Sequence, residues 1–168
     1  ITLPPDSALA AHWSFDEAAV NQTKTIRDDS GNGNTGTLIG GQTNADFVAG
    51  VSGTTLNFDG VDDYLIKPSP SFIDDTKGAV SLWVKFDALS KYQSIWSSSV
   101  NGAFTDEFIF YLKTDNSLRL RLNLNGITSL DLDTSPDAIT DTNWHHIAVT
   151  SDGSNIKLYL DGEEQTFM

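Results

Sequence analysis

The sequence predicts an all-β fold, two packed antiparallel sheets in a sandwich or jelly roll. Three observations carry this. Apolar residues recur at every second position in one segment after another. Turn residues, Asp-Gly pairs above all, separate those segments at short intervals. No window of helical length carries an apolar period of 3.6 residues. A short strand with one apolar face has to cover that face, and a second sheet is the common solution.

The elements follow in order. Leu9, Ala11, Trp13 and Phe15 alternate with Ala10, His12 and Ser14, which reads as a first strand ended by Asp16 and Glu17. Residues 28–36 have a loop composition rich in Asp, Asn and Gly. Leu56 and Phe58 begin an alternation that Asp59-Gly60 interrupts and Tyr64-Leu65-Ile66 resumes. Val80, Leu82, Val84 and Phe86 alternate with Ser81, Trp83 and Lys85. Phe108, Phe110 and Leu112 alternate with Ile109 and Tyr111. Leu118, Leu120, Leu122 and Leu124 alternate with Arg119, Arg121 and Asn123, the cleanest two-faced strand of the chain. Residues 144–151 and 155–161 are two further strands, and Asp152-Gly153 between them signals a hairpin. Residues 18–20 and 74–77 each have room for one helical turn. The alternation places Phe15, Phe58, Leu82, Val84, Leu120 and Leu122 in the core. With no linker, repeat or low-complexity tract, the chain reads as one domain over 1–168.

Composition narrows the function. The 168 residues carry 10 Lys and Arg against 23 Asp and Glu, a formal net charge of −13. Such a surface repels phosphate backbones and anionic membranes, so nucleic acid and membrane insertion are poor candidates as partners. No apolar run approaches the roughly 20 residues of a membrane helix. There are no cysteines, so thiol catalysis, zinc–thiolate sites and disulfides are excluded. The chain opens on Ile1 rather than Met, as expected of an excised domain or a processed fragment. The abundance of Asn, Thr, Ser, Gly and Asp between short apolar runs suits a secreted or cell-surface bacterial β-domain.

Six segments are more specific than composition. They are His12-Trp13-Ser14-Phe15-Asp16-Glu17, the Asp28–Asn34 loop, Leu56-Asn57-Phe58-Asp59-Gly60-Val61-Asp62-Asp63-Tyr64, Ala79-Val80-Ser81-Leu82-Trp83-Val84-Lys85, Trp144-His145-His146-Ile147-Ala148-Val149-Thr150 and Leu158-Tyr159-Leu160-Asp161-Gly162. Together, from about residue 9 to 163, they resemble the bacterial laminin G-like, concanavalin A-like jelly-roll family. The resemblance implies a jelly roll used for glycan binding, adhesion or spacing beside a catalytic domain. Members usually continue past the Asp-Gly turn with further strands, so the chain is expected to lack the last of these or to continue beyond Met168.

The chemistry candidates each carry two readings. His145-His146 suggests a metal or a base, yet neighbours on a strand point to opposite faces, which favours packing and hydrogen bonding. Asp131 and Asp133 lie two apart but lack a glutamate partner for glycoside hydrolysis. No nucleophile elbow or phosphate loop is present. A non-catalytic module is therefore expected. Arg119, Arg121 and Asn123 line one strand face with Ser117, while Trp83 and Tyr111 occupy the lighter faces of two others. If those faces coincide, Trp83, Tyr111, Arg119, Arg121 and Asn123 line a glycan groove; otherwise they are a solvated face paired to surplus acids. A structural spacer, a protein-interaction domain of a large surface protein, or an accessory domain of a polysaccharide-degrading enzyme are the alternatives.

The Asp28–Asn34 loop offers carboxylates, amide oxygens and backbone carbonyls, the donor set of calcium. The resemblance maps a metal-associated aspartate onto Asp28. A structural calcium ion held by Asp16, Asp28, Asn32 and Asn34 is therefore expected, against an Asx-rich turn that bonds its own backbone.

Overall fold

The structure is a computed structural model, describing residues 9–17, 24–68, 77–99, 107–124 and 127–168. The described residues gather into two compact units, within Ile1–Asp75 and Thr76–Met168. The only helical element described is a 3-10 turn, Asn44–Asp46, closed at its start by a capping box between Thr43 and Asp46. The helical turn expected at 18–20 lies outside the described residues, as does that at 74–77 except for Lys77, which begins a strand.

In the first unit, β1 (Thr25–Ile26), β2 (Gly36–Ile39) and β5 (Tyr64–Ile66) form an antiparallel sheet in the order β1-β2-β5. β3 (Phe47–Ala49) and β4 (Thr54–Leu56) form a hairpin. Ile26, Leu38 and Leu56 are its buried core, with Trp13, Phe15, Phe47 and Leu65 packed around them. Gly36 makes room for Leu65: a Cβ on it would sit 2.6 Å from Leu65 Cδ1, and that side chain would have to shift.

Two expectations are corrected in this unit. Residues 9–15 are not a strand. Trp13 and Phe15 do reach the core, but Phe15 has φ +58°, which breaks an extended run and is a sterically costly place for an aromatic residue. Phe58 is not a core residue, being 41% exposed. β4 ends at Leu56, Asn57 N–H turns aside to Asp46 O at 2.8 Å, and Phe58 is left with an edge contact to Phe15, centroids 6.5 Å apart.

The second unit is the sandwich. β6 (Lys77–Lys85), β11 (Trp144–Asp152), β12 (Ile156–Leu160) and β13 (Glu163–Gln165) form one antiparallel sheet, ordered β13-β12-β11-β6. β7 (Gln93–Ser99), β8 (Glu107–Leu112), β9 (Leu118–Leu124) and β10 (Ile127–Asp133) form the other, ordered β10-β9-β8-β7. Period-two alternation sends Phe110, Leu112, Leu118 and Leu120 of one sheet against Ile147, Leu158 and Leu160 of the other. Leu120 is fully buried, Val84 packs against this cluster, and Leu82 and Leu122 are half-buried. The expected hairpin forms at Asp152-Gly153: Asp152 Oδ1 accepts the N–H groups of Ser154 and Asn155 at 2.8 and 2.7 Å, and Gly153 has φ +92°.

Candidate functional site

Because the inner faces of the two sheets meet in one core, their outer faces look in opposite directions. Tyr111, Arg119, Arg121 and Asn123 share one of these outer faces. β8 and β9 pair with Tyr111 opposite Arg119 and Glu107 opposite Asn123. β9 and β10 pair with Arg121 opposite Asp131 and Arg119 opposite Asp133. The register therefore sets cations against carboxylates across the hairpin.

Arg119 is fully engaged. Its Nε and Nη2 both donate to Asp133 at 2.6 Å, a bidentate fork, and Nε also lies 3.2 Å from Asp131. Lys113 Nζ adds a third bond to Asp133 at 2.8 Å. The Arg119 fork holds the Asp133 carboxyl below its ordinary pKa and raises that of Arg119. Arg121 differs: Nη2 donates to Thr128 Oγ1 at 3.0 Å, Nε has no partner, and no ion pair forms among the described residues. Asn123 donates to Glu107 at 3.4 Å and accepts from Thr128 at 3.0 Å. At the other end, Tyr111 lies against Tyr92, centroids 6.0 Å apart, and Tyr92 is 64% exposed. Sequence reasoning passed over Tyr92 and the pairing of Asp131 and Asp133 with Arg119. The signal was present in two neighbouring strands carrying opposite charges at alternate positions.

Trp83 is not on that face. It stands on the outer face of the β6–β11 sheet, opposite His146, with ring centroids 5.2 Å apart. The five residues expected in one groove are thus divided, four on one sheet and Trp83 on the other. The two histidines diverge as strand neighbours must. His146 points outward, its Nε2 2.8 Å from Ser81 Oγ. His145 is buried, with Nδ1 2.8 Å from Asp161 Oδ2.

The calcium set does not fit a cation at Asp28. Asp28 is buried, and its Oδ1 accepts the backbone N–H groups of His12 and Ser30, both at 2.9 Å, while Oδ2 accepts that of Asn34 at 2.8 Å. Burial pushes its pKa up, but these bonds together outweigh that and bring it down to about 2. Asn32 and Asn34 direct amide hydrogens at the carbonyls of Leu9 and Ala10, at 2.6 and 2.8 Å. Asp16 is spent elsewhere, accepting Thr54 N–H at 2.8 Å. This is the geometry of an Asx-rich turn that staples residues 9–12 to the loop. Another acidic group, Asp59, Asp62 and Asp63, brings carboxylate oxygens within 4.8 Å of one another. Asp59 and Asp63 already accept backbone N–H groups there, from Val61 at 2.8 Å and from Gly41 at 2.9 Å.

A shallow depression of about 340 Å³ beside that loop is lined by Ser14, Asp16, Glu17, Arg27 and Asp29. Ser14 donates to Asp29 at 2.7 Å, and Arg27 pairs with it. A glycosidase acid needs a raised pKa. Among the described carboxyls whose pKa departs clearly from the ordinary value, Asp28, Asp29, Asp59, Asp115, Asp133, Asp141, Asp152 and Asp161, every shift is downward.

Residues 58–166 match the laminin G-like family model of the concanavalin A-like lectin/glucanases superfamily. The chain belongs to this superfamily. The fold is accordingly a concanavalin A-like, all-β sandwich of antiparallel sheets. Among solved structures, the superfamily member described here is similar to residues 221–444 of an S-layer domain-containing protein from Clostridium thermocellum. The two share 25% identity at a TM-score of 0.65, over 94% of this chain and 71% of that one. No curated protein sequence matches at a significant level. No helix among the described residues is long and apolar enough to cross a membrane.

Proposed function

We propose that this superfamily member is a non-catalytic carbohydrate-binding or adhesion module of a bacterial cell surface. The observation that carries the reading is the outer face of the β7–β10 sheet. There the Tyr92–Tyr111 pair stands beside Arg119, and Arg121 and Asn123 continue along the same face of β9. An aromatic plane accepts the C–H face of a sugar, and donors beside it take up the hydroxyls. The S-layer neighbour supports a surface location, and the superfamily includes lectins. Calcium is no part of this reading, since three backbone N–H groups already occupy the Asp28 carboxylate.

A spacer is the second reading. It is favoured by the self-sufficiency of Arg119, whose charge is met by Asp131 and Asp133. A glycan array probed with the whole chain separates the two. Binding in the roughly micromolar-to-millimolar range, weakened by Tyr111→Ala and by Arg121→Gln, is expected of a shallow polar site. Absence of any glycan binding, with the chain folded, would leave the spacer.

A further inference from the structure

We infer that the opposite sheet carries a second, separate carbohydrate contact, centred on Trp83, and that it takes an uncharged pyranose. Trp83 is 52% exposed on the outer face of β6. Cross-strand pairing surrounds it with a specific set of groups. His146 stands directly opposite Trp83, Trp144 opposite Lys85, and Ala148 opposite Ser81. Tyr159 of β12 continues the row from Ala148. The imidazole lies 5.2 Å from the indole centroid to centroid, and Ser81 fixes it through a 2.8 Å contact at Nε2. The result is one open aromatic plane bordered by an oriented imidazole and a hydroxyl, with Lys85 two residues further along the same strand. A sugar ring has the complementary form, with an apolar C–H face and a rim of hydroxyls that both donate and accept.

Charge selects the class of sugar. The chain carries a net −13, so a polyanionic glycan must approach against the field of the whole protein, whereas a neutral one need not. Area argues against a second copy of the chain as the occupant. Trp83 is the one large apolar side chain that is well exposed among the described residues of this sheet, and a stable protein interface needs on the order of 1,000 Å² with an apolar centre. A single indole beside hydrogen-bonding groups suits a sugar, where one stacked ring carries much of the affinity. Two contacts on opposed faces would let one module bridge two chains of polysaccharide.

The test titrates the whole chain with cellotetraose, xylotetraose, mannotetraose and laminaritetraose, with tetragalacturonate as the charged comparator, by calorimetry and tryptophan emission. At least one neutral oligosaccharide is expected to bind and to perturb the emission. Trp83→Ala should weaken it about ten-fold or more, and Ser81→Ala, which releases His146, should weaken it less. Tyr111→Ala and Arg121→Gln lie on the other face and should leave the Trp83-dependent part of the emission change within about two-fold, whatever they do to binding there. The inference is overturned if none of the four neutral ligands binds at millimolar concentration, or if tetragalacturonate binds through Trp83 as well as they do. It is also overturned if binding falls with Tyr111→Ala and Arg121→Gln but not with Trp83→Ala, an outcome that would uphold the proposed function while removing this second site. Binding insensitive to all these variants would overturn both.

Discussion

Asp161 Oδ2 accepts a hydrogen bond from His145 Nδ1 at 2.8 Å, and Asp161 Oδ1 accepts the backbone N–H of His146 at 2.8 Å. One carboxylate thus ties the Trp-His-His segment of β11 to the turn that ends β12. Asp161 itself sits at φ +52° and returns its N–H to His146 O at 2.8 Å. A carboxylate can only accept, so Nδ1 carries the proton, which leaves Nε2 of this buried ring facing Asp141 at 3.4 Å without a hydrogen bond. Two of the segments that mark the family are therefore one structural device.

Removing that carboxylate should be costly. Asp161→Ala strands the buried His145 N–H and frees the more exposed His146 backbone N–H, and an expected loss of about 1–3 kcal/mol follows from the unsatisfied buried donor. Asp161→Asn should lose less, because asparagine tolerates the left-handed conformation and keeps an acceptor. Urea denaturation of Asp161→Ala, His145→Ala and the double variant gives the coupling. A coupling below about 0.5 kcal/mol would show that the pair does not act as a unit.

The core offers a sharper contrast between two leucine-like positions of the sequence pattern. Leu120 is fully buried between the sheets, whereas Phe58 is 41% exposed. Leu120→Ala should cost about 2–5 kcal/mol, the range of buried large-to-small changes. Phe58→Ala removes a larger side chain but mainly a single edge contact with Phe15, so it should cost less. Equal losses, measured by chemical denaturation, would contradict the burial pattern.

Legibility followed the physics of each segment. β9 was readable because Leu118 and Leu120 face a core while Arg119 and Arg121 lie on the outer face, so the period of two is undisturbed. β7 was not, because Gln93-Ser94-Ile95-Trp96-Ser97-Ser98-Ser99 has little apolar content and a register shift between Ser94 and Trp96. Residues 9–15 alternate like a strand, yet the Asp28 loop claims their backbone: Asp28 takes His12 N–H, and Asp29 N–H returns to His12 O at 2.8 Å. For the candidate site, the outward position of Arg119 and Arg121 was legible from alternation alone. Which arginine is held by a carboxylate was not, since that depends on the β9–β10 register that brings Asp133 to Arg119. Nor could alternation say that Trp83 and Tyr111 belong to different sheets; only strand order decides that.

Asp28 connects stability, calcium and acid. Its carboxylate meets three backbone N–H groups in a buried position, so Asp28→Ala should destabilise on the order of 3 kcal/mol. The loss should be the same in millimolar calcium and in EDTA, because the donors that need Asp28 are N–H groups. A calcium-dependent rise in melting temperature that Asp28→Ala abolishes would reverse this account. The same carboxylate sets an acid limit. Its pKa falls from 3.8 unfolded to about 2 folded, so the unfolded chain binds the proton more tightly. The stabilisation is therefore fully present above pH 3.8 and fades as the pH drops toward 2, a change on the order of 2 kcal/mol. Asp161, Asp133 and Asp115 shift in the same direction and steepen the decline. Stability measured by urea titration near pH 7 and at about pH 2.5 should fall in the parent chain. Asp28→Asn, which has no proton to gain there, should lose measurably less over that interval. An equal loss in both proteins would mean that Asp28 is not the group whose protonation opens the loop.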